Sequence, residues 1–155
     1  MTNTEILQVV TGCIGSLGFA ILFNVRGKRL LVAALGGLLS WLLLLLLGCV
    51  IDSEPINYFI VSVSLSVYAE VMARVMKTPT TTFITTSLIP LIPGGSLYYT
   101  MAYAFQSDMG RFFEKGIYTL ELAAALALGV IAATAFAKLL NKFLSSVQKR
   151  RGKSA

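Results

Sequence analysis

An all-α integral membrane protein with about five transmembrane helices is the fold class that this sequence predicts. Of its 155 residues, 56% are hydrophobic and only 13% are charged. The mean hydropathy of +0.79 is far too apolar for a water-soluble domain. Five spans of about 20 residues, each long enough to cross a hydrocarbon core about 30 Å thick, use about 100 positions. This leaves room for one transmembrane domain, residues 1–141, and a basic cytoplasmic tail, residues 142–155.

The first three predicted spans are continuous apolar runs that charged residues separate. The first, residues 6–25, follows a short head without the positive leader of a secretory signal, so it is predicted to be a retained helix. The second, residues 30–51, follows a basic stretch at residues 26–29. The third, residues 56–76, follows two acids and Pro55, which suit the start of a helix.

The fourth predicted span, residues 82–105, carries helix-breaking residues near its middle. Pro90 and Pro93 cannot donate backbone hydrogen bonds, and Gly94 and Gly95 permit unusual dihedral angles. The sequence therefore predicts a helix that unwinds between residues 89 and 95 and starts again near Ser96.

The fifth predicted span, residues 117–140, follows a polar connection at residues 106–116. Small residues recur along one of its faces, where they allow close approach of another helix. That face either packs within the chain or docks against a partner subunit. Its members are Ala125, Gly129, Ala133 and Ala137.

The distribution of basic residues predicts the orientation. With five spans, Arg111 and Lys115 fall on one side of the membrane and the other eleven of the 13 Lys and Arg residues fall on the opposite side. Because basic residues near span ends stay in the cytoplasm, the N-terminus is expected outside and the C-terminus inside. The basic tail is interpreted as an orientation signal at anionic lipids, and no nucleic-acid partner is expected.

The predicted break is the candidate substrate-binding site. Unpaired backbone groups at membrane depth are tolerated where protein or a water-filled cavity satisfies them, and discontinuous helices often mark transporter binding sites. A helix that restarts there presents free N–H groups and a positive dipole end to a carboxylate. The alternative is a proline kink whose polar groups only satisfy neighbouring helices. The candidate residues are Thr86, Pro90, Pro93, Gly94, Gly95, Ser96, Tyr98 and Tyr99.

Glu70 and Arg74 are the other ionisable candidates, because they share one face of the third span at i and i+4. They form either a structural ion pair or a functional pair, in which Glu70 couples ion movement and Arg74 attracts an anionic substrate. The sequence has no His. We find no nucleophile with its base and no metal-ligand spacing, so no enzyme, metal or cofactor is expected.

Two segments resemble the threonine/serine exporter family. One is Gly-Phe-Ala-Ile-Leu-Phe-Asn at residues 18–24, with basic residues and Leu30 after it. The other runs from Pro79 into Ile-Pro-Leu-Ile-Pro-Gly-Gly at residues 89–95 and Tyr98. The whole chain is similar to the family's small stand-alone membrane subunits, which in enterobacteria pair with a larger subunit and are implicated in succinate export.

The resemblance implies a multi-pass protein of the bacterial inner membrane that works with a larger membrane subunit. It implies export of a small carboxylate, either a dicarboxylate such as succinate or the amino acids threonine and serine. In the family, two membrane halves join, and an outside N-terminus would give the second half an inverted topology. The alternative function is a structural membrane subunit that stabilises a partner without transporting anything.

Overall fold

The computed structural model describes residues 3–151, apart from the side chains of residue 141 and residues 143–151. These residues contain six α-helices, one short 3₁₀ turn and no strand, which confirms the all-α prediction. The helices are α1 (Asn3–Leu22), α2 (Lys28–Gly48), α3 (Glu54–Met76), α4 (Thr80–Leu88), α5 (Gly94–Phe105) and α6 (Met109–Arg151), and the 3₁₀ turn is Ile89–Leu91.

In the described part of the chain, four helices are long and apolar enough to cross a membrane: α1, α2, α3 and the Met109–Leu140 part of α6. The fourth predicted span is divided between α4 and α5, and each of these is shorter than a bilayer-spanning helix needs to be. The total of five spans and the orientation therefore stay predictions. Residues 152–155 of the predicted tail lie outside the described part of the chain.

Helices α1, α3 and α5 end in the same way, with a residue in the left-handed conformation. These residues are Asn24 (φ 58°), Lys77 (φ 50°) and Ser107 (φ 58°). In each case the next N–H group donates to a carbonyl five residues earlier, which closes the helix end and turns the chain. The donor and acceptor pairs are Val25 and Ala20 (2.9 Å), Thr78 and Ala73 (3.0 Å), and Asp108 and Tyr103 (3.1 Å).

The start of α6 differs from the sequence prediction. Residues 106–116 are not a polar connection, because α6 begins at Met109 and only residues 106–108 turn. Asp108 caps the new helix: its Oδ1 accepts a hydrogen bond from the Arg111 N–H group at 3.2 Å, and its carbonyl accepts one from the Phe112 N–H group at 3.0 Å. Charged residues at this position mark a helix start rather than a loop.

Small residues lie at the closest contacts between helices. This is expected in a membrane, because large apolar side chains make equally favourable contacts with lipid and with protein. A Cβ atom at Gly37 of α2 would clash with the hydroxyl of Ser16 on α1. A Cβ atom at Gly129 of α6 would clash with Ser62 Oγ of α3 and lie 2.8 Å from the Phe59 carbonyl oxygen. Pairs α1–α2 and α3–α6 therefore pack backbone to backbone.

The small-residue face of α6 is used inside the chain. Ala125, Gly129 and Ala133 are buried, and α6 packs along α3. Of the two interpretations of this face, packing within the chain is the one that the structure supports.

Charges divide the bundle into two ends. The acidic end carries Glu5, Asp52 and Glu54, and the basic end carries the basic stretch at residues 26–29 together with Arg74 and Lys77. Both α3 and α6 run from the acidic to the basic end, since Gly129 lies against Ser62 whereas Ala137 and Leu140 share a cavity with Glu70 and Arg74. Helix α4 starts at the basic end and packs against α1, α2 and α3, whereas α5 packs against α6.

Candidate functional site

The fourth apolar segment is broken where the prolines predict it. After α4 ends at Leu88, the chain makes one 3₁₀ turn, becomes extended at Ile92 (φ −57°, ψ 126°) and starts α5 at Gly94 rather than near Ser96. The turn is closed by hydrogen bonds from the Ile92 N–H group to the Ile89 carbonyl (3.1 Å) and from the Gly94 N–H group to the Ile92 carbonyl (2.6 Å). The break itself is therefore confirmed.

The break leaves the Thr86 carbonyl without its helical donor, because Pro90 occupies the donor position and has no N–H group. The hydroxyl of Ser16 on α1 donates to this carbonyl at 2.7 Å, and both residues are fully buried. Gly37 makes room for Ser16 in this position. Ser16 therefore compensates the proline across the helix interface.

Five of the predicted substrate-binding residues line one cavity of about 280 Å³ at the break: Pro90, Pro93, Gly94, Gly95 and Ser96. A Cβ atom added at Gly94 or Gly95 would meet nothing within 4 Å, so the backbone of both glycines borders open space. The other walls come from three helices. They include Trp41 of α2, Glu54 and Tyr58 of α3, and Tyr118 and Leu122 of α6.

The cavity brings a positive and a negative group to the same space. The N–H groups of Gly95 and Ser96 lie in the first turn of α5, where no preceding turn supplies carbonyl acceptors and the helix dipole is positive. Glu54 supplies a carboxylate, and Ser96 is positioned by a 2.7 Å hydrogen bond between its hydroxyl and that of Thr119 on α6. This arrangement suits a ligand with an anionic and a cationic group.

A second polar cavity of about 480 Å³ adjoins the first and shares Trp41, Glu54 and Tyr58 with it. It lies between α1, α2 and α3, and Glu5 and Asn57 also line it. Among the described residues, no Lys or Arg lines either cavity. Both cavities are therefore more favourable to a cationic group than to a second anionic one.

Glu54 is the functional candidate that the sequence reasoning missed. It precedes Pro55 and starts α3, so in the sequence it is indistinguishable from an ordinary acid in the first turn of a helix. Its position at the start of α3 becomes relevant only because the break lies just past the middle of the bundle, on the side of the acidic end, and its cavity extends to Glu54. Helix α4 and the 3₁₀ turn advance about 20 Å, against about 35 Å for α3.

Besides Arg74, three predicted binding residues lie away from the break cavity. Thr86 is fully buried, and its hydroxyl donates to the Thr82 carbonyl of its own helix at 2.9 Å. Tyr98 and Tyr99 are 69% and 55% exposed, and their rings contact each other edge to face at 5.5 Å. Their proposed contact with substrate stays a prediction that the geometry of the chain does not support.

Glu70 and Arg74 lie at the basic end, apart from the break. Their side chains form an ion pair at 3.0 Å, and the Thr80 hydroxyl donates to the other carboxylate oxygen of Glu70 at 3.0 Å. Glu70 therefore links the end of α3 to the first residue of α4. The pair also lines a cavity of about 250 Å³ between α3 and α6.

A hydroxyl-bearing face on α4 is directed away from the rest of the chain. Thr81 and Thr85 are exposed, and with Thr82 and Phe23 they line a cavity of about 210 Å³. Within residues 3–142 no hydrogen bond of these three threonine hydroxyls is found, unlike the hydroxyl of Thr86 on the buried side. Hydroxyl groups on a membrane-embedded surface require partners or water.

Comparisons with known proteins give one match. Residues 8–136 match the family model described as threonine/serine exporter, ThrE. No curated protein and no solved structure matches the chain. Among the described residues, no cluster of three or more His, Cys, Asp or Glu side chains is arranged to hold a metal ion.

The bond between Ser16 and Thr86 can be tested by a double-mutant cycle. Ser16→Ala leaves a buried carbonyl without a donor, which is expected to destabilise the chain by about 1–3 kcal/mol in detergent unfolding. Pro90→Ala restores an N–H group near this carbonyl, so Ser16→Ala should cost less than half as much in that background. Ser64→Ala is the control, since Ser64 is exposed and its hydroxyl bonds only to Ile60 of its own helix. Equal costs of Ser16→Ala in both backgrounds would show that Ser16 does not compensate Pro90.

Proposed function

The chain belongs to the threonine/serine exporter family, and from this premise we propose that it is one membrane half of a secondary exporter of small carboxylates. Family membership and four helices of membrane-spanning length support a transmembrane transport component rather than an enzyme. The proposed location is the bacterial inner membrane, with the basic end in the cytoplasm.

The observation that carries the proposal is the cavity at the break, in which the first turn of α5 and the Glu54 carboxylate share one space. An amino acid carries a carboxylate and an ammonium group, so it can bind the α5 N–H groups and Glu54 at once. A dicarboxylate such as succinate would bring a second negative charge towards Glu54. The cavity therefore favours threonine or serine over succinate as the cargo.

The proposal includes a larger membrane subunit as the second half. The hydroxyls of Thr81, Thr82 and Thr85 border a cavity on α4, the helix that leads into the break, so a partner or a water-filled path along this face would satisfy them. Two halves of inverted topology can alternate access by moving against each other around the site. The break would then lie beside the moving interface.

Ion coupling is proposed at Glu70. Its carboxylate holds both Arg74 on α3 and Thr80 at the start of α4, so neutralising it weakens two contacts at once. Helix α4 ends at the break, which gives a continuous rigid element from this carboxylate to the proposed substrate site. Proton binding at Glu70 could in this way change the position of α4.

The substrate site is tested by Gly94→Leu in proteoliposomes that contain the chain and its co-purified partner. Because a side chain at Gly94 meets open space, the variant should fold and insert, whereas its side chain fills the cavity. Threonine efflux is expected to fall at least about tenfold, which corresponds to about 1.4 kcal/mol. Gly110→Leu, at the other end of the α5–α6 hairpin, is the matched control and should transport normally. Normal efflux by Gly94→Leu at normal abundance would favour the alternative of a structural, non-transporting subunit.

The class of cargo is tested by Glu54→Gln, which removes the negative charge and keeps the size of the side chain. Loss of a charge-assisted contact with the ammonium group is expected to raise the KM for threonine at least about tenfold. Transport of succinate, measured in the same vesicles, should not be weakened. A variant that loses succinate transport and retains threonine transport would overturn this assignment of Glu54.

The coupling carboxylate is tested by Glu70→Gln, with threonine efflux measured under imposed pH gradients. The variant should lose its response to the gradient while it still exchanges threonine across the membrane, because a neutral amide cannot take up a proton. Glu121→Gln is the control, since Glu121 is an exposed acid of α6 that lines none of the cavities described. An unchanged response in Glu70→Gln would exclude Glu70 as the coupling group.

A further inference from the structure

A groove opens between α3 and α6 towards the basic end of the bundle. The two helices are in close contact where Gly129 meets Ser62, and a cavity of about 250 Å³ begins one turn further on, at Ser66 and Ala133. It continues as far as Arg74 and Leu140. The small side chains of Ala133 and Ala137 leave this space open.

The walls of the groove are apolar, although two of the lining residues carry hydroxyl groups. Ser66 donates its hydroxyl to the Ser62 carbonyl at 2.8 Å, and Thr134 donates its hydroxyl to the Val130 carbonyl at 2.8 Å. Both hydroxyls are therefore used within their own helices. Glu70 and Arg74 supply the only charges on the described lining, and both are at the basic end.

The mouth of the groove is electropositive. The Arg74 side chain is 55% exposed although it forms an ion pair with Glu70. Lys77 follows α3. On α6, Lys138 comes directly after Ala137, and Lys142 lies two residues beyond Leu140; all three lysine side chains are exposed. Beside the groove, Glu70 is one acid among these four basic residues, so a ligand with an apolar body and an anionic head matches both the walls and the mouth.

We propose that this groove binds one anionic phospholipid, with an acyl chain between α3 and α6 and the phosphate at Arg74. A groove that opens sideways from a membrane helix pair faces lipid, and an acyl chain seated in it gives its apolar walls van der Waals contacts that an empty space would lack. A helix of a partner protein is about 10–12 Å wide, which is too thick for a cavity of this volume. Arg is well suited to the phosphate because its guanidinium forms two parallel hydrogen bonds to an anion of this shape.

The proposal is tested by native mass spectrometry of the full-length chain in a non-ionic detergent. Dioleoyl-phosphatidylglycerol and dioleoyl-phosphatidylcholine are titrated separately, because they have the same acyl chains and differ in net charge. We expect one phosphatidylglycerol to bind at least tenfold more tightly than phosphatidylcholine. Equal affinity for the two lipids would overturn the proposal.

Variants separate the groove from the general lipid surface. Ala137→Phe fills the groove and should reduce phosphatidylglycerol binding at least tenfold, whereas Ala135→Phe, on the exposed opposite face of α6, should change it by less than twofold. Arg74→Gln should reduce the preference for phosphatidylglycerol about fivefold, as expected for one basic residue at an anionic lipid surface. Arg74→Lys should retain most of the preference, and Glu70→Gln should increase it because a competing carboxylate is removed.

The same measurements distinguish a lipid in the groove from a lipid bound elsewhere and from a protein partner in the groove. If Ala137→Phe and Ala135→Phe reduce binding equally, the lipid binds elsewhere on the helix surface and the proposal is wrong. If adding the co-purified partner subunit displaces the bound lipid, the groove is a protein interface and the proposal is also wrong. Should Ala137→Phe fail to fold, Ala137→Val and the Arg74 variants test phosphatidylglycerol binding in the groove with a smaller change in side-chain volume.

Discussion

The hydrogen bond from the Ser16 hydroxyl to the Thr86 carbonyl is the interaction on which the break in the fourth segment depends. Pro90 removes the donor that Thr86 would have in a continuous helix, and a buried carbonyl without a donor costs about 1–3 kcal/mol. The Ser16 hydroxyl satisfies it from α1, and Ser16 can reach it only because Gly37 lets α1 and α2 approach closely. The break in the fourth segment and the tight packing of the first two helices are therefore one feature.

The same break separates the chain into two packing regions. Helix α4 packs against α1, α2 and α3, whereas α5 turns away and packs against α6. The space between these regions is the cavity in which Glu54 and the start of α5 meet. At the other end of α4, Thr80 is held by Glu70, so an ionic contact and the proposed substrate site lie at opposite ends of one short helix. This arrangement provides a direct structural link between the proposed coupling carboxylate and the proposed substrate site.

The sequence predicted local features well and contacts between helices poorly. Apolar runs predicted helices α1 to α3, and the prolines and glycines predicted the break at residues 89–93. Both signals are local, because they depend only on residues that are neighbours in the sequence. The role of Ser16 was not predicted, since periodicity does not say which helix lies opposite. Counting donors would have found the orphaned Thr86 carbonyl but not its partner. Glu54 was missed for the same reason, because the direction in which α5 leaves the break decides that Glu54, and not Tyr98 or Tyr99, lines the cavity.

The central claim is that the break holds an amino acid between the first turn of α5 and Glu54. The most direct test is a cryo-electron microscopy map of the chain with its partner in lipid nanodiscs, with and without saturating threonine. We expect additional density beside the N–H groups of Gly95 and Ser96 that reaches Glu54 only when threonine is present. Threonine density at another place, or a continuous helix through residues 88–97 in the assembled complex, would contradict the claim.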